Sequence, residues 1–421
     1  MKKYIFPLFI IITSFANCQQ KDNQQQNIVT LDNTIENRKI DSIYTKILGE
    51  ERPIWVYTPE DTDKSKKYPV LYILDGDSNY DGVITLMNHQ SRFAQIPKMI
   101  IVAIPNTNRT LDLTPSRMIV SRDGNAIPEG VNGGGEEFTS FLEKELIPYI
   151  EKKYPVTTHK TLIGHSLGGL LVINTLIHHP EIFNNYIAID PSLWWNNQKL
   201  LKEAKVVLEQ EKFNNKSLFV AVANTMRDGM DISRVERDTT DATTHIRSVL
   251  NFTKIAAKNT QSKLQFDWKY YEKENHGSVP LIAEYDGLKS VFSWYNFNIN
   301  DEFRKPIATP EYLINFIEEH YRETSKHFGY KVLPEEGFIN QLGYRFLSTV
   351  PDLRAKSYAF FNLNIKNYPE NANVYDSMAD YYERQNNFVS ALENVTKAYE
   401  ISHSDIHKSR IEKLKKQVVT F

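Results

Sequence analysis

The chain has 421 residues, of which 41% are hydrophobic and 24% charged, so it is long and apolar enough to build sizeable buried cores. Fifty basic residues against 52 acidic ones give a net charge of −2, which argues against a nucleic-acid-binding function. The single cysteine, Cys18, excludes an intramolecular disulfide and a zinc site built on thiolates.

The N-terminus has the pattern of an export signal. Lys2 and Lys3 precede an apolar run over residues 4–16, which is shorter than the roughly 20 residues that a membrane span needs. Residues 14–18 (SFANC) resemble a bacterial lipobox, so residues 1–18 are predicted to be a lipoprotein signal and Cys18 its lipidation site. The mature chain is then expected in the periplasm or at the cell surface, anchored to the outer membrane by lipid. The alternative is a short N-terminal helix with a buried cysteine.

Residues 19–37 are polar and predict a flexible tether. Over residues 38–298, short apolar runs alternate with helical patterns such as 138–152 and 170–178. This alternation is typical of an α/β fold with a doubly wound, mostly parallel sheet. The predicted strands cover residues 40–48, 53–57, 70–74, 99–104, 161–163, 186–189, 218–223 and 264–271, and the first two are expected to form an antiparallel hairpin.

Residues 305–421 predict a C-terminal, all-helical, repeat-like region. Residues 339–355 resemble residues 375–391 at an offset of 36, close to the 34 residues of a tetratricopeptide repeat. Two degenerate copies fall short of the roughly three that usually stand alone, so this region is expected to pack on the α/β domain. A protein partner for the helical region is left open.

Residues 164–168 form the pentapeptide G-H-S-L-G, with a strand pattern before it and an apolar helix pattern after it. A strand–turn–helix is the setting of a nucleophile elbow, in which the serine adopts an unfavourable backbone conformation between glycines. Ser166 is therefore the predicted nucleophile. The alternative is an ordinary glycine-rich turn that happens to contain a serine.

A serine hydroxyl needs a base to become a nucleophile. Of the 11 histidines, His276 follows the last predicted strand, where this fold places its base. His165 is expected to be structural. The acid should follow the strand at 218–223, and Asp228 is the preferred candidate. The alternatives are Asp231, Glu236, Asp238 or a serine–histidine dyad without an acid.

An oxyanion hole needs two backbone donors. One is predicted at Leu167, directly after the serine, and the other at Asp77, in the loop after the strand at 70–74. An ordinary Asp-Gly turn at this loop is the alternative.

Five segments in this order resemble the putative esterase family, which includes siderophore esterases and esterase D-like proteins: residues 69–77 (PVLYILDGD), 109–115 (RTLDLTP), 164–169 (GHSLGG), 191–195 (PSLWW) and 275–278 (NHGS). The resemblance implies an α/β-hydrolase fold and cleavage of a small-molecule carboxylic ester without a metal or other cofactor. Ser166, His276 and the Asp77 and Leu167 amides match the family's site, whereas its acid motif is not recognisable here.

Trp194 and Trp195 match a family feature near the site, and we interpret them as the wall of an acyl or aromatic pocket, with core packing as the alternative. Arg109, Arg117 and Arg122 could supply positive charge to an anionic iron chelate, or be solvated or paired. We therefore predict a serine esterase that forms an acyl-enzyme on siderophore lactones, acylated sugars or small lipid esters. Acyl transfer at the same site and a non-catalytic surface binding protein are the alternatives.

Overall fold

A computed structural model describes residues 38–59, 66–121, 124–227, 229–305 and 308–420. The predictions for the export signal with Cys18, for the tether, for Arg122 and for Asp228 lie outside these residues. Within the described residues no helix is both long and apolar enough to cross a bilayer.

Eight strands form one sheet, and each corresponds to a predicted run. Their bounds are β1 Arg38–Thr45, β2 Glu50–Tyr57, β3 Tyr68–Leu74, β4 Ile100–Ile104, β5 Val156–His165, β6 Asn185–Ile189, β7 Ser217–Ala223 and β8 Gln265–Tyr271. The strand order is β1-β2-β4-β3-β5-β6-β7-β8. β1 and β2 form the predicted antiparallel hairpin, β2 also pairs antiparallel with β4, and all other neighbours are parallel.

Four of the inner strands are buried along their whole length because helices cover both faces of the sheet. Every residue of β3, β4, β6 and β7 is buried, which explains their continuous runs of Val, Ile and Leu. The α/β, mostly parallel fold class predicted from the sequence is confirmed. The helices that alternate with the strands are α1 Gly76–Arg92, α2 Arg109–Asp112, α3 Gly135–Phe141, α4 Ile147–Lys153, α5 Leu167–His178, α6 Trp195–Gln210, α7 Ile232–Val235, α8 Thr244–Lys258 and α9 Val279–Val291.

Beyond β8 and α9, the described residues contain helices and turns but no strand, as the periodicity predicts. The helices are α10 Ile299–Glu302, α11 Pro310–Phe328, α12 Glu336–Arg345, α13 Pro351–Asn367, α14 Ala372–Arg384, α15 Phe388–Ser402 and α16 Asp405–Thr420. The end of α11 packs on the α/β part: the His327 ring stacks on Trp294 at 4.3 Å, and the Phe328 ring lies 5.1 Å from that of His159 in β5. The tetratricopeptide interpretation and the domain boundaries stay predictions.

Close approach of two helices in the helical region depends on one glycine. A Cβ atom at Gly343 in α12 would lie 2.4 Å from the ring of Phe361, which is fully buried in α13. Gly337, at the start of the same helix, has no atom within 4 Å of such a Cβ. The two glycines therefore form a matched pair: a side chain at Gly343 would clash with Phe361, whereas a side chain at Gly337 would contact nothing.

We expect Gly343→Ala to lower the free energy of unfolding by about 1–3 kcal/mol, because the added methyl group overpacks the α12–α13 contact. Gly337→Ala should leave it unchanged or raise it by up to about 1 kcal/mol, since alanine favours the helix. Urea unfolding followed by circular dichroism measures both values. Equal stability of the two variants would contradict the packing described here.

Candidate active site

Ser166 lies at the sharp turn between β5 and α5. Its backbone has φ 61° and ψ −113°, a conformation that is unfavourable for a residue with a Cβ atom. The turn closes so tightly that a Cβ atom at Gly164 would lie 2.4 Å from the carbonyl carbon of Gly168. The local sequence therefore builds the strained elbow that its glycines predict, and Ser166 remains partly exposed.

His276 lies in the loop between β8 and α9. Its Nε2 atom is 3.0 Å from Ser166 Oγ, so the structure brings together two residues that are 110 positions apart. A side chain of the loop holds its backbone: the side-chain oxygen of Asn275 accepts hydrogen bonds from the N–H groups of Gly277 at 2.9 Å and Ser278 at 3.1 Å. The imidazole is thus presented to the serine by an ordered turn.

Asp190 directly follows β6, and its side chain is completely buried. Its Oδ2 atom accepts hydrogen bonds from His276 Nδ1 at 2.6 Å and from Nε2 of His245, in the first turn of α8, at 2.9 Å. Its Oδ1 atom accepts from the Ala223 N–H at 3.0 Å. An ionised carboxylate only accepts, so Nδ1 of His276 carries the proton and Nε2 is free to accept one from Ser166.

Electrostatics favour this protonation pattern. Burial alone would raise the pKa of Asp190, but the hydrogen bonds from His245 and His276 outweigh it and hold the pKa below its ordinary value. Burial and the neighbouring His276 lower the pKa of His165 to about 4. The His165 ring lies 4.5 Å from that of His276, centroid to centroid, so it packs there as a neutral imidazole.

The acidic residues predicted from the loop after β7 do not contact His276. Asp231 caps α7, Glu236 pairs with Lys254, and Asp238 binds Thr240. Asp228, the preferred candidate, lies outside the described residues. The carboxylate that binds His276 belongs instead to Asp190, which follows β6, one strand earlier. The position of Asp190 directly after the predicted strand at 186–189 is the sequence signal that could have identified it.

The two amides predicted for an oxyanion hole lie at helix N-termini. Leu167 is the first residue of α5 and Asp77 the second residue of α1, so neither N–H has an acceptor within its own helix. The loop before Asp77 is held by Asp75, whose carboxylate binds Arg109 through Nε at 2.6 Å and Nη2 at 3.0 Å. Their role as oxyanion donors stays a prediction.

Arg109 was expected to bind substrate, and its guanidinium is engaged within the protein. Besides Asp75, its Nη2 contacts the His165 carbonyl oxygen at 3.3 Å. Arg117 pairs with Glu129 at 3.2 Å. Arg109 nevertheless lines the cavity beside the elbow, so substrate contact by its exposed edge stays a prediction.

Trp195 is 7% exposed, and its indole N–H donates to the Ser116 carbonyl oxygen at 2.8 Å, which fits core packing better than a pocket wall. Trp194 is half-buried, with its ring 5.7 Å from that of Trp195.

Ser192 is a site residue that the sequence did not indicate. Its hydroxyl lies 3.2 Å from Ser166 Oγ, and its N–H donates to the Ser166 carbonyl oxygen at 2.9 Å.

Asp190, His276 and Ser166 form one chain of hydrogen bonds, the arrangement in which a histidine can take the proton of a serine that attacks an electrophilic carbon. Asp190, His245 and His276 also present ligand atoms within 4.8 Å of one another, which is close enough to hold a metal ion. The same three side chains are also joined by two hydrogen bonds, from His245 and from His276 to the Asp190 carboxylate.

Comparisons with known proteins show which family and fold the chain resembles. The family model described as "Putative esterase" matches residues 45–298. The structure resembles that of an IroE-like serine hydrolase from Shewanella oneidensis with a TM-score of 0.65 and 30% sequence identity, covering 78% of this chain and 99% of that one.

Two curated relatives are siderophore esterases. The ferri-bacillibactin esterase of Bacillus subtilis is 31% identical over 185 residues, which is 40% of this chain and 63% of that protein. The siderophore triacetylfusarinine C esterase of Aspergillus fumigatus is 32% identical over 162 residues, 35% of this chain and 52% of that protein. The chain thus spans less than two thirds of the length of each.

The lowered pKa of Asp190 predicts a pH-dependent contribution to stability. The unfolded chain binds a proton here near pH 4 and the folded chain only at lower pH, so the contribution is complete above about pH 4 and is lost as the pH falls further. Asp190→Asn lacks this titration. We expect the variant to be less stable at pH 5, and the difference from the wild type to shrink by about 1 kcal/mol between pH 5 and pH 3.

Urea unfolding at pH 5, 4 and 3 measures this difference. Asp405→Asn is the matched control, since Asp405 is an exposed carboxylate in the first turn of α16. A difference between wild type and Asp190→Asn that does not change with pH would contradict the charge assigned to Asp190.

Proposed function

The chain belongs to the putative esterase family, and we propose that it is a serine carboxylic-ester hydrolase that works through an acyl-enzyme. The observation that carries this proposal is the hydrogen-bonded chain from Asp190 Oδ2 to His276 Nδ1, at 2.6 Å, and from His276 Nε2 to Ser166 Oγ, at 3.0 Å. In this chain His276 gives the serine a base, and Asp190 fixes the tautomer of that base.

In the first half-reaction, His276 Nε2 takes the proton of Ser166 as Oγ attacks the carbonyl carbon of the ester. The imidazolium that forms is stabilised by the buried Asp190 carboxylate. The negative charge that develops on the carbonyl oxygen is met by the Leu167 and Asp77 N–H groups, which the helix N-termini leave without intrahelical acceptors. His276 then returns the proton to the leaving alcohol.

In the second half-reaction, water replaces the alcohol. His276 Nε2 takes a proton from the water as its oxygen attacks the acyl carbon, and the proton returns to Ser166 Oγ when the acid leaves. In the free enzyme the Ser192 hydroxyl lies 3.2 Å from Ser166 Oγ, and because Ser166 donates to His276 there, Ser192 is the donor of this hydrogen bond. We assign Ser192 a positioning role, since it holds the rotamer of the nucleophile.

We propose a siderophore ester as the substrate. The support is that the ferri-bacillibactin and triacetylfusarinine C esterases both carry siderophore substrates in their names, and both match this chain at just over 30% identity. Hydrolysis of such an ester would use the Asp190–His276–Ser166 chain, water and the two amides proposed as oxyanion donors.

Ser166→Ala should lower kcat/KM for a p-nitrophenyl ester and for an iron-loaded catecholate lactone by about 10⁴–10⁶-fold, because the attacking oxygen is lost. The neighbouring serine provides the matched control: Ser192→Ala should cost no more than about 10-fold, since only a hydrogen bond to the nucleophile is removed. Initial rates on both substrates measure the effect, and thermal unfolding verifies that both variants are folded. An active Ser166→Ala variant would end the proposal.

A further inference from the structure

A cavity of about 530 Å³ lies beside the elbow, between the N-terminal ends of α1 and α9. Asp77 and Ser78 line it from α1, Ser278 lines it from the loop before α9, and Glu284 lines it from within α9. His165 and Gly277, the chain neighbours of Ser166 and His276, line it as well. An ester held between Ser166 and the Asp77 amide would therefore have its acyl or its alcohol part next to this cavity.

Glu284 is the unexplained group in the cavity wall. The residue is 2% exposed, and its Oε1 atom has no hydrogen-bond partner among the described residues. Burial raises the pKa of Glu284 to about 8, so at neutral pH the group is largely a neutral carboxylic acid. A buried polar group without a partner costs about 1–3 kcal/mol, and such costs are typical of functional sites.

The other charges of the cavity limit what can bind there. The Arg109 guanidinium is paired with both oxygens of Asp75, and Asp77 adds a carboxylate, so among the described residues that line the cavity no positive side chain is without a carboxylate partner. The N-termini of α1 and α9, helices of 17 and 13 residues, carry partial positive charge that disfavours a cation. An uncharged group with a hydrogen-bond-accepting oxygen fits both conditions.

We propose that this cavity is a substrate subsite in which the Glu284 carboxyl group donates a hydrogen bond to an uncharged acceptor, such as a ketone or amide carbonyl, in the part of the ester that enters it. The inference rests on the proposed esterase activity and adds the class of substrate. Glu284 is a specificity-determining residue here, since it lies apart from the Asp190–His276–Ser166 chain.

Two pairs of esters test the subsite, each differing by one carbonyl. p-Nitrophenyl 4-oxopentanoate and 4-methylpentanoate vary the acyl part, and 4-oxopentyl and 4-methylpentyl acetate vary the alcohol part. The readout is the ratio of kcat/KM between the members of a pair, in the full-length wild type and in two variants. Glu284→Gln keeps a donor of the same shape, and Glu284→Met replaces it with an apolar chain of similar volume.

In the wild type and Glu284→Gln, we expect the carbonyl ester to be preferred in one of the two pairs. In Glu284→Met that preference should fall by about 10-fold while the isosteric apolar ester keeps its rate within about 3-fold, because one hydrogen bond is lost. Urea unfolding verifies that both variants are folded.

Two results would overturn the subsite while leaving the esterase intact: ratios that are the same in all three proteins, or an equal loss on every ester in Glu284→Met. Absence of hydrolysis of all four esters by the folded wild type would overturn the esterase itself, and the subsite with it. The two failures are therefore distinguishable.

Discussion

The buried carboxylate of Asp190 is the group on which the geometry of the site depends. Three donors hold it, His276, His245 and the Ala223 N–H, so that both its oxygens are satisfied although no part of the side chain reaches solvent. Because a buried ionised carboxylate can only accept, it sets the tautomer of His276 and turns Nε2 toward Ser166. The arrangement of the serine, the histidine and the acid thus depends on the charge of one buried carboxylate.

Backbone strain is also present at this edge of the sheet. Asp75, Ser166 and Asp190 each directly follow one of the adjacent strands β3, β5 and β6, and each has a positive φ, 54°, 61° and 40° respectively. For residues other than glycine such conformations cost about 1–3 kcal/mol each. Three strained turns therefore lie side by side at the carboxyl edge of the parallel sheet. They contain the nucleophile Ser166, the carboxylate Asp190 that binds His276, and Asp75, which binds Arg109.

Strong local patterns made much of this predictable. All eight strands are continuous or alternating apolar runs, and Ser166 and His276 stand in loops that the order of elements brings to one edge. The acid was expected in the loop after β7 because any carboxylate at that edge satisfies the sequence pattern, and it is the hydrogen bonds to His276 and His245 that distinguish Asp190. Ser192 lies within the family-like segment 191–195, but its contact with Ser166 shows only in the structure, and Glu284 has no sequence signal because its significance comes from burial.

Labelling of the full-length protein with a fluorophosphonate, followed by mass spectrometry of its peptides, tests the central claim most directly. A fluorophosphonate reacts with a serine only when a neighbouring base removes its proton. The account predicts a single adduct on Ser166, and much slower formation of that adduct when Asp190 is replaced by asparagine. An unlabelled protein, or an adduct on another residue while Ser166 stays free, would contradict it.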